Sequence, residues 1–236
     1  MNLGISQPTF LPWCGYFGLL NYVDEFVILD NVQFQKRSWQ QRNQIKILND
    51  KLFLTVPVYS KDKRNQKISE VKIDNSSNFI NKHKKTIEHS YRKSNFFSKY
   101  SNSLFKIYDM RHENLLDFNM NLINYFCGVL KIPTKILISS SLKIEGTKDD
   151  LIYNICKIRK CKNYISTRGS LDYLGNSESF SGSDVKIKYF GYKNLVYGQI
   201  NGNFIENLSI LDLIFNLGPE SLNFIKKNFY IDENYG

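Results

Sequence analysis

Short, largely apolar runs constrain this chain most. Phe26-Val27-Ile28-Leu29 stops at Asp30, Leu52-Phe53-Leu54-Thr55-Val56 stops at Pro57, and Ile136-Leu137-Ile138 stops at Ser139. Runs of this length without polar alternation suit strands covered on both faces, as in a parallel sheet. Between them lie helical periodicities, the clearest being Leu115, Leu122, Ile123, Phe126 and Leu130. The pattern predicts strands near 2–6, 26–30, 52–56, 135–138, 163–166 and 185–190, with a short alternating strand at Val71 and Ile73. It predicts helices near 13–23, 77–91, 94–108, 113–130, 147–160, 208–215 and 220–227. Strands alternating with helices imply an α/β fold, a mostly parallel sheet flanked by helices, with a helical insertion at about 77–130. No repeat or linker divides the chain, so residues 1–236 are expected to form one domain.

A chain of 236 residues, 42% of them hydrophobic, can bury a core without disulfides or metal. Its 4 cysteines form no C-x-x-C pair and it has 3 histidines, so no metal site is expected. The opening residues lack a basic segment followed by an apolar stretch, and nowhere do roughly 18 apolar residues run together. A cytoplasmic protein with reduced thiols and no membrane span is the expectation. The net charge of +10 would suit nucleic acid, anionic membranes, acidic carrier proteins or phosphate-bearing metabolites alike. It is spread over the clusters 61–67, 82–85 and 157–162, without a recognised nucleic-acid motif.

In open α/β sheets, ligands bind beyond the carboxyl ends of the strands. Ending each apolar run there would gather Gln7, Asp30 with Asn31, Pro57, Ser139 and Ser166-Thr167-Arg168-Gly169 on one rim. The segment from Asp30 to Asn43 is rich in chemistry, holding Asp30, Lys36, Arg37, Trp39, Arg42 and several amides. Arg offers a planar fork for phosphate and Lys a point charge, while Trp39 could stack on a ring. An exposed loop with ordinary charges is the alternative. Ser166 to Ser170 lies between a strand and a short helix, where free N–H groups favour an anion. Helical spacing turns His83 inward with Phe79, Ile80 and Ile87, and leaves His89 beside Lys82, Lys85 and Lys93. His112 precedes a helix and reads as structural. Cys14 precedes Gly15 near a helix start but has no histidine near it in sequence, so an inert buried thiol is expected.

The opening Gln7-Pro8-Thr9-Phe10-Leu11-Pro12-Trp13-Cys14-Gly15-Tyr16-Phe17 closely resembles the first motif of the WbqC-like family. The resemblance continues through Asp30 to Phe34, Lys36, Trp39, Arg42, Asn43, Lys82-His83, Tyr164-Ile165-Ser166, Tyr173-Leu174 and Phe180. It closes with Tyr197-Gly198-Gln199, Phe204 and Leu208 to Asp212. It spans almost the whole chain, and it implies a role in assembling O-antigen or a related surface glycan. An aminoacyl or glycyl transferase acting on the amine of a nucleotide-linked sugar is the activity it suggests. An aliphatic residue usually stands where this chain has Cys14, which argues against a thiol nucleophile. By this reading His83, or Asp30, would accept the amine proton. Lys36 and Arg42 would hold the diphosphate, and Gln7 and Asn43 would orient the sugar or the acyl carbonyl. Trp13, Trp39, Ser166 and Arg168 complete the expected substrate contacts. No cofactor is identified; the acyl donor could be coenzyme A, a carrier-protein thioester or a charged tRNA. A nucleotidyl or amino-group transferase of the same pathway and a non-enzymatic scaffold are the alternatives.

Overall fold

The computed structural model describes residues 1–174 and 177–232, and of Asp172 and Tyr173 the backbone alone. Strand β1 (Asn2–Ser6) leads through a proline-containing turn into α1 (Cys14–Tyr22) and back into β2 (Glu25–Ile28). A hairpin, β3 (Arg42–Ile47) and β4 (Asp50–Thr55), precedes α2 (Phe79–Tyr91), α3 (Phe97–Asp109) and α4 (Leu115–Leu130). Alternation resumes with β5 (Lys135–Ile138), α5 (Lys148–Ile158), β6 (Asn163–Thr167), the single turn α6 (Leu171–Leu174) and β7 (Lys186–Tyr192). Helices α7 (Ile210–Leu217) and α8 (Ser221–Asn228) lead to β8 (Phe229–Asp232).

Six strands form one sheet in the order β5-β2-β1-β6-β7-β8. All neighbours are parallel except β7 and β8. The α/β fold with a mostly parallel sheet is therefore as the apolar runs implied. Both faces are covered, and the two-residue period of a strand sorts its side chains between them. Leu3, Ile5, Val27, Leu29 and Tyr164 turn to one face, with Ile152 and Ile155 of α5. Phe26, Ile28, Ile165 and Phe190 turn to the other, with Phe17, Phe126 and Ile214. Every residue of β2 is buried, which is why its sequence shows no alternation.

From β1 the chain moves to β2, with β5 beyond it, and later returns to place β6 on the other side of β1. The direction of winding thus reverses between β1 and β6. A crevice at the carboxyl ends of these two strands is where such folds receive ligands.

The run at 52–56 is not part of this sheet. Strand β4 pairs antiparallel with β3, Gln44 opposite Phe53 and Ile47 opposite Asp50. A connection of two residues, Leu48-Asn49, permits only an antiparallel neighbour, since a parallel one needs a crossover of a dozen residues or more. Pro57 therefore lies off the rim. Around Val71 and Ile73 there are only isolated bridges, Lys72 with Asn114 and Ile73 with Val58, instead of a strand.

Candidate substrate cleft

The turn after β1 is built from buried apolar side chains on a strained backbone. Phe10 and Leu11 are fully buried, and Leu11 has φ of 45°, in the left-handed region. Asn43 holds this turn: its side-chain NH2 donates to the carbonyls of Phe10 at 3.2 Å and Leu11 at 2.7 Å. The Phe10 N–H donates to the Trp39 carbonyl at 2.9 Å, and Gln40 Nε2 donates to Gln7 Oε1 at 2.7 Å. Asn119 of α4 in turn donates to the Gln40 carbonyl at 2.8 Å. The segments 7–13 and 35–43 are thereby one interlocked unit above the switch point.

Beneath this unit are two adjoining hollows of about 440 and 250 Å³. They share Ser6, Thr9, Trp39 and Thr167, at the ends of β1 and β6 and on the overlying loop. The larger is walled by the rings of Trp13, Tyr16, Trp39 and Phe190, with Gln44, Lys51 and Asn207 supplying polar groups. The smaller takes Gln7, Gln40, Tyr164 and Ser166. The Thr9 hydroxyl oxygen is buried without a protein partner where the two meet. Apolar walls with a few convergent polar groups are the usual make-up of a small-molecule site.

Of the residues singled out from sequence, Gln7, Trp13, Trp39, Asn43 and Ser166 line this cleft. Asn43 acts through the turn it clamps, and the Ser166 hydroxyl bonds Tyr164 at 3.1 Å and Ser170 at 2.7 Å. The other candidates are placed elsewhere. The Asp30 carboxylate accepts from Ser139 Oγ at 2.9 Å and the Ser140 N–H at 2.8 Å, fastening the end of β2 to the turn after β5. Lys36 is exposed beyond the cleft. The Arg42 guanidinium lies over the Phe53 ring at 4.4 Å, and that ring is 6.1 Å from Trp39. Arg168 turns to the sheet edge, where it pairs with Asp232 and donates to Tyr230 at 3.3 Å. Neither Lys36 nor Arg42 lines this cleft, and Lys51 is the single cation lining it among the described residues.

His83 lies in the core, 5% exposed, with the rings of Phe10, Phe79 and Tyr108 centred 5.4 to 5.9 Å away. Its Nε2 is 3.1 Å from the Thr55 carbonyl and must donate to it, since a carbonyl can only accept. Burial pulls its pKa down to about 4, with the Thr55 bond opposing. The helical reading that turned His83 inward is matched, but inward here means core and not cleft. Cys14 is buried too, and desolvation pushes its thiol up to about 12.

The WbqC-like protein family matches residues 7–224. The chain belongs to that family. The uncharacterized protein Rv1507c of Mycobacterium tuberculosis is 32% identical over 229 residues, covering 95% of this chain and 97% of the relative. No solved structure matches the chain.

The WbqC-like cleft has a buried polar support that the sequence reading did not assign a role. Lys46 is 1% exposed, and its ammonium donates to Gln199 Oε1 at 3.1 Å and to the carbonyls of Gly202 and Asn203. Its backbone N–H donates to Tyr91 OH, which donates to Asp212 at 3.0 Å. Tyr197 OH donates to the same carboxylate at 2.7 Å. Burial raises the Asp212 pKa, while the two phenols and Lys46 act against it. Burial likewise lowers the Lys46 pKa. Gly202, at φ of 87°, passes so close to the Asn49 side chain that a Cβ there would collide with it. The network thus locks the hairpin, one wall of the cleft, to α2, α7 and the loop at 197–205. The signal for it was a lone carboxylate in the apolar run Ile210-Leu211-Asp212-Leu213-Ile214-Phe215.

Proposed function

We propose that the cleft binds a nucleotide-linked amino sugar of surface-glycan assembly and presents its amine for acylation. One observation carries this reading: the aromatic walls, the hydroxyls of Ser6, Thr9 and Thr167, and Lys51 all converge at the switch point of the sheet. A base or sugar ring would pack against Trp13 or Trp39, and Lys51 would meet the diphosphate as a charge-assisted donor. The hydroxyls and the Gln7 amide would orient the sugar and donate to the oxygen of the acyl carbonyl as charge develops on it.

No carboxylate or imidazole lines the cleft among the described residues. The reaction that fits is aminolysis of an activated acyl group by an amine that is already neutral. The amine nitrogen forms the C–N bond, the C–S or C–O bond to the donor breaks, the leaving group keeps the electron pair, and the amine proton passes to solvent. Orientation of the two reactants is then the main catalytic contribution. His83, with its pKa near 4 and no access to the cleft, supports the fold and not the proton transfer.

The same lack of a carboxylate or imidazole favours a second reading, a binding protein that holds the nucleotide sugar for another enzyme. Mass spectrometry of a nucleotide-linked amino sugar incubated with thioester and aminoacyl-tRNA donors separates the two. Formation of the amide, at a rate rising with pH through the titration of the sugar amine, is the expected result. Tight sugar-nucleotide binding with no amide from any donor would leave the binding reading in its place.

A further inference from the structure

The hairpin has a second groove, on the side away from the cleft, and its chemistry is different. This hollow of about 550 Å³ runs between the hairpin tip and the C-terminal half of α2. One wall carries Lys85, His89, Arg92 and Lys93, all exposed, and the other carries Leu48 and Leu52. None of the four basic side chains forms an ion pair among the described residues, and no carboxylate lines the groove. Glu88, the acidic residue of α2, is not part of its lining.

Cations near a helix C-terminus are expected to favour the helix dipole, and this accounts for part of the basic wall. It does not account for the leucines facing that wall. Leu48 is 75% exposed and Leu52 41% exposed. Leu48 also occupies the hairpin turn at φ of 42°, a position suited to Asn or Gly and strained for Leu. An aliphatic side chain held in water on a strained backbone needs an apolar counterpart to be useful.

We infer that this groove docks an acidic amphipathic helix of a partner protein. Carboxylates on one side of such a helix would meet Lys85, His89, Arg92 and Lys93, and its apolar stripe would cover Leu48 and Leu52. A phosphodiester backbone would match the charge alone and leave Leu48 and Leu52 uncovered, and no Phe, Tyr or Trp lines the groove. The inference stands apart from the sugar-nucleotide reading, because the two sites occupy different sides of the hairpin and share no lining residue.

The test uses the full chain and a fluorescent helical peptide bearing glutamates on its polar face and leucines on its apolar face. A lysine-bearing peptide with the same apolar stripe and a short RNA duplex serve as comparisons, all read by fluorescence anisotropy. Only the acidic peptide is expected to bind, and Lys85→Glu with Arg92→Glu should weaken it by roughly tenfold or more. The same reversal at Lys61 and Lys63, exposed and outside the lining of the groove, should leave it unchanged. Leu48→Asn separates docking from folding: it should raise the melting temperature by relieving the turn, yet weaken the peptide by roughly fivefold. Absence of peptide binding, equal binding by the charge-reversed protein, or unchanged binding by Leu48→Asn would each overturn the inference. Tighter binding of the RNA, lost on the same charge reversal, would reassign the groove to nucleic acid.

Discussion

Mild acid should destabilise this protein through His83, and the size of the effect follows from its surroundings. The folded chain holds the imidazole neutral until pH about 4, against an ordinary value of 6.5, because burial among aromatic rings disfavours the cation. Between those two values the unfolded chain binds the proton and the folded chain does not, so stability falls as pH falls through the window. Above 6.5 both states are neutral at this site and the effect vanishes. The interval from about 4 to 6.5, at about 1.36 kcal/mol for each tenfold change in proton affinity, amounts to about 3 kcal/mol. That is a large part of the stability of an ordinary domain. His83→Gln keeps an N–H for the Thr55 carbonyl and removes the titration. Urea unfolding of both proteins from pH 7 to 4.5 makes the comparison, and surface carboxylates contribute equally to each. The natural chain should lose about 2 to 3 kcal/mol more than the variant across that range. Parallel stability curves, or an NMR titration of His83 centred near 6.5, would refute the reasoning.

Asn43→Ala should cost about 2 to 3 kcal/mol in urea unfolding, since it strips the partner from the buried carbonyls of Phe10 and Leu11. Cys14 should resist iodoacetamide at pH 8 in the folded protein and react only after unfolding, because its thiol is buried and pushed up to about 12. Rapid native modification of Cys14, mapped by peptide mass, would contradict that placement. Asp212→Ala should lower stability by about 3 kcal/mol by leaving Tyr91 and Tyr197 without their acceptor, and Asp212→Asn should cost clearly less. Equal losses from the two substitutions would mean that the hydrogen bonds to this side chain matter little.

The parallel sheet was legible because β2 and β5 are short apolar runs bounded by polar residues. The hairpin was not. Strand β3 reads Arg-Asn-Gln-Ile-Lys-Ile and buries both Asn43 and Lys46, so its polar residues disguise a strand whose partners are carbonyls and amides. Its turn, Leu48-Asn49, lacks the glycine that usually announces a hairpin. With β3 unseen, β4 was assigned to the sheet by its apolar run alone. The same gap hid Lys51 and Gln44, which reach the cleft only because they stand on the hairpin. Residue types left Lys36 and Arg42 open between a phosphate site and an exposed loop, and the resemblance favoured the site; Lys36 is out in solvent and Arg42 lies over Phe53. Gln7 and Ser166 fall at this cleft because the ends of β1 and β6 are fixed by topology, which the sequence displayed best, whereas Trp39 was singled out by the residue types of segment 30–43 and Trp13 by the family resemblance. Helical spacing also turned His83 away from water, yet spacing cannot distinguish a core from a cleft.

The most direct test of the cleft is isothermal titration of one nucleotide-linked amino sugar, and of the same sugar without its nucleotide, into the natural chain, Lys51→Ala and Lys36→Ala. The nucleotide-linked sugar should bind the natural chain, with the free sugar far weaker. Lys51→Ala should lose roughly tenfold or more in affinity, the equivalent of a charge-assisted contact of about 1.5 kcal/mol or greater. Lys36→Ala should bind as the natural chain does. Negligible binding of both sugars, or an affinity that depends on Lys36 and not on Lys51, would contradict the placement of the substrate between β1 and β6.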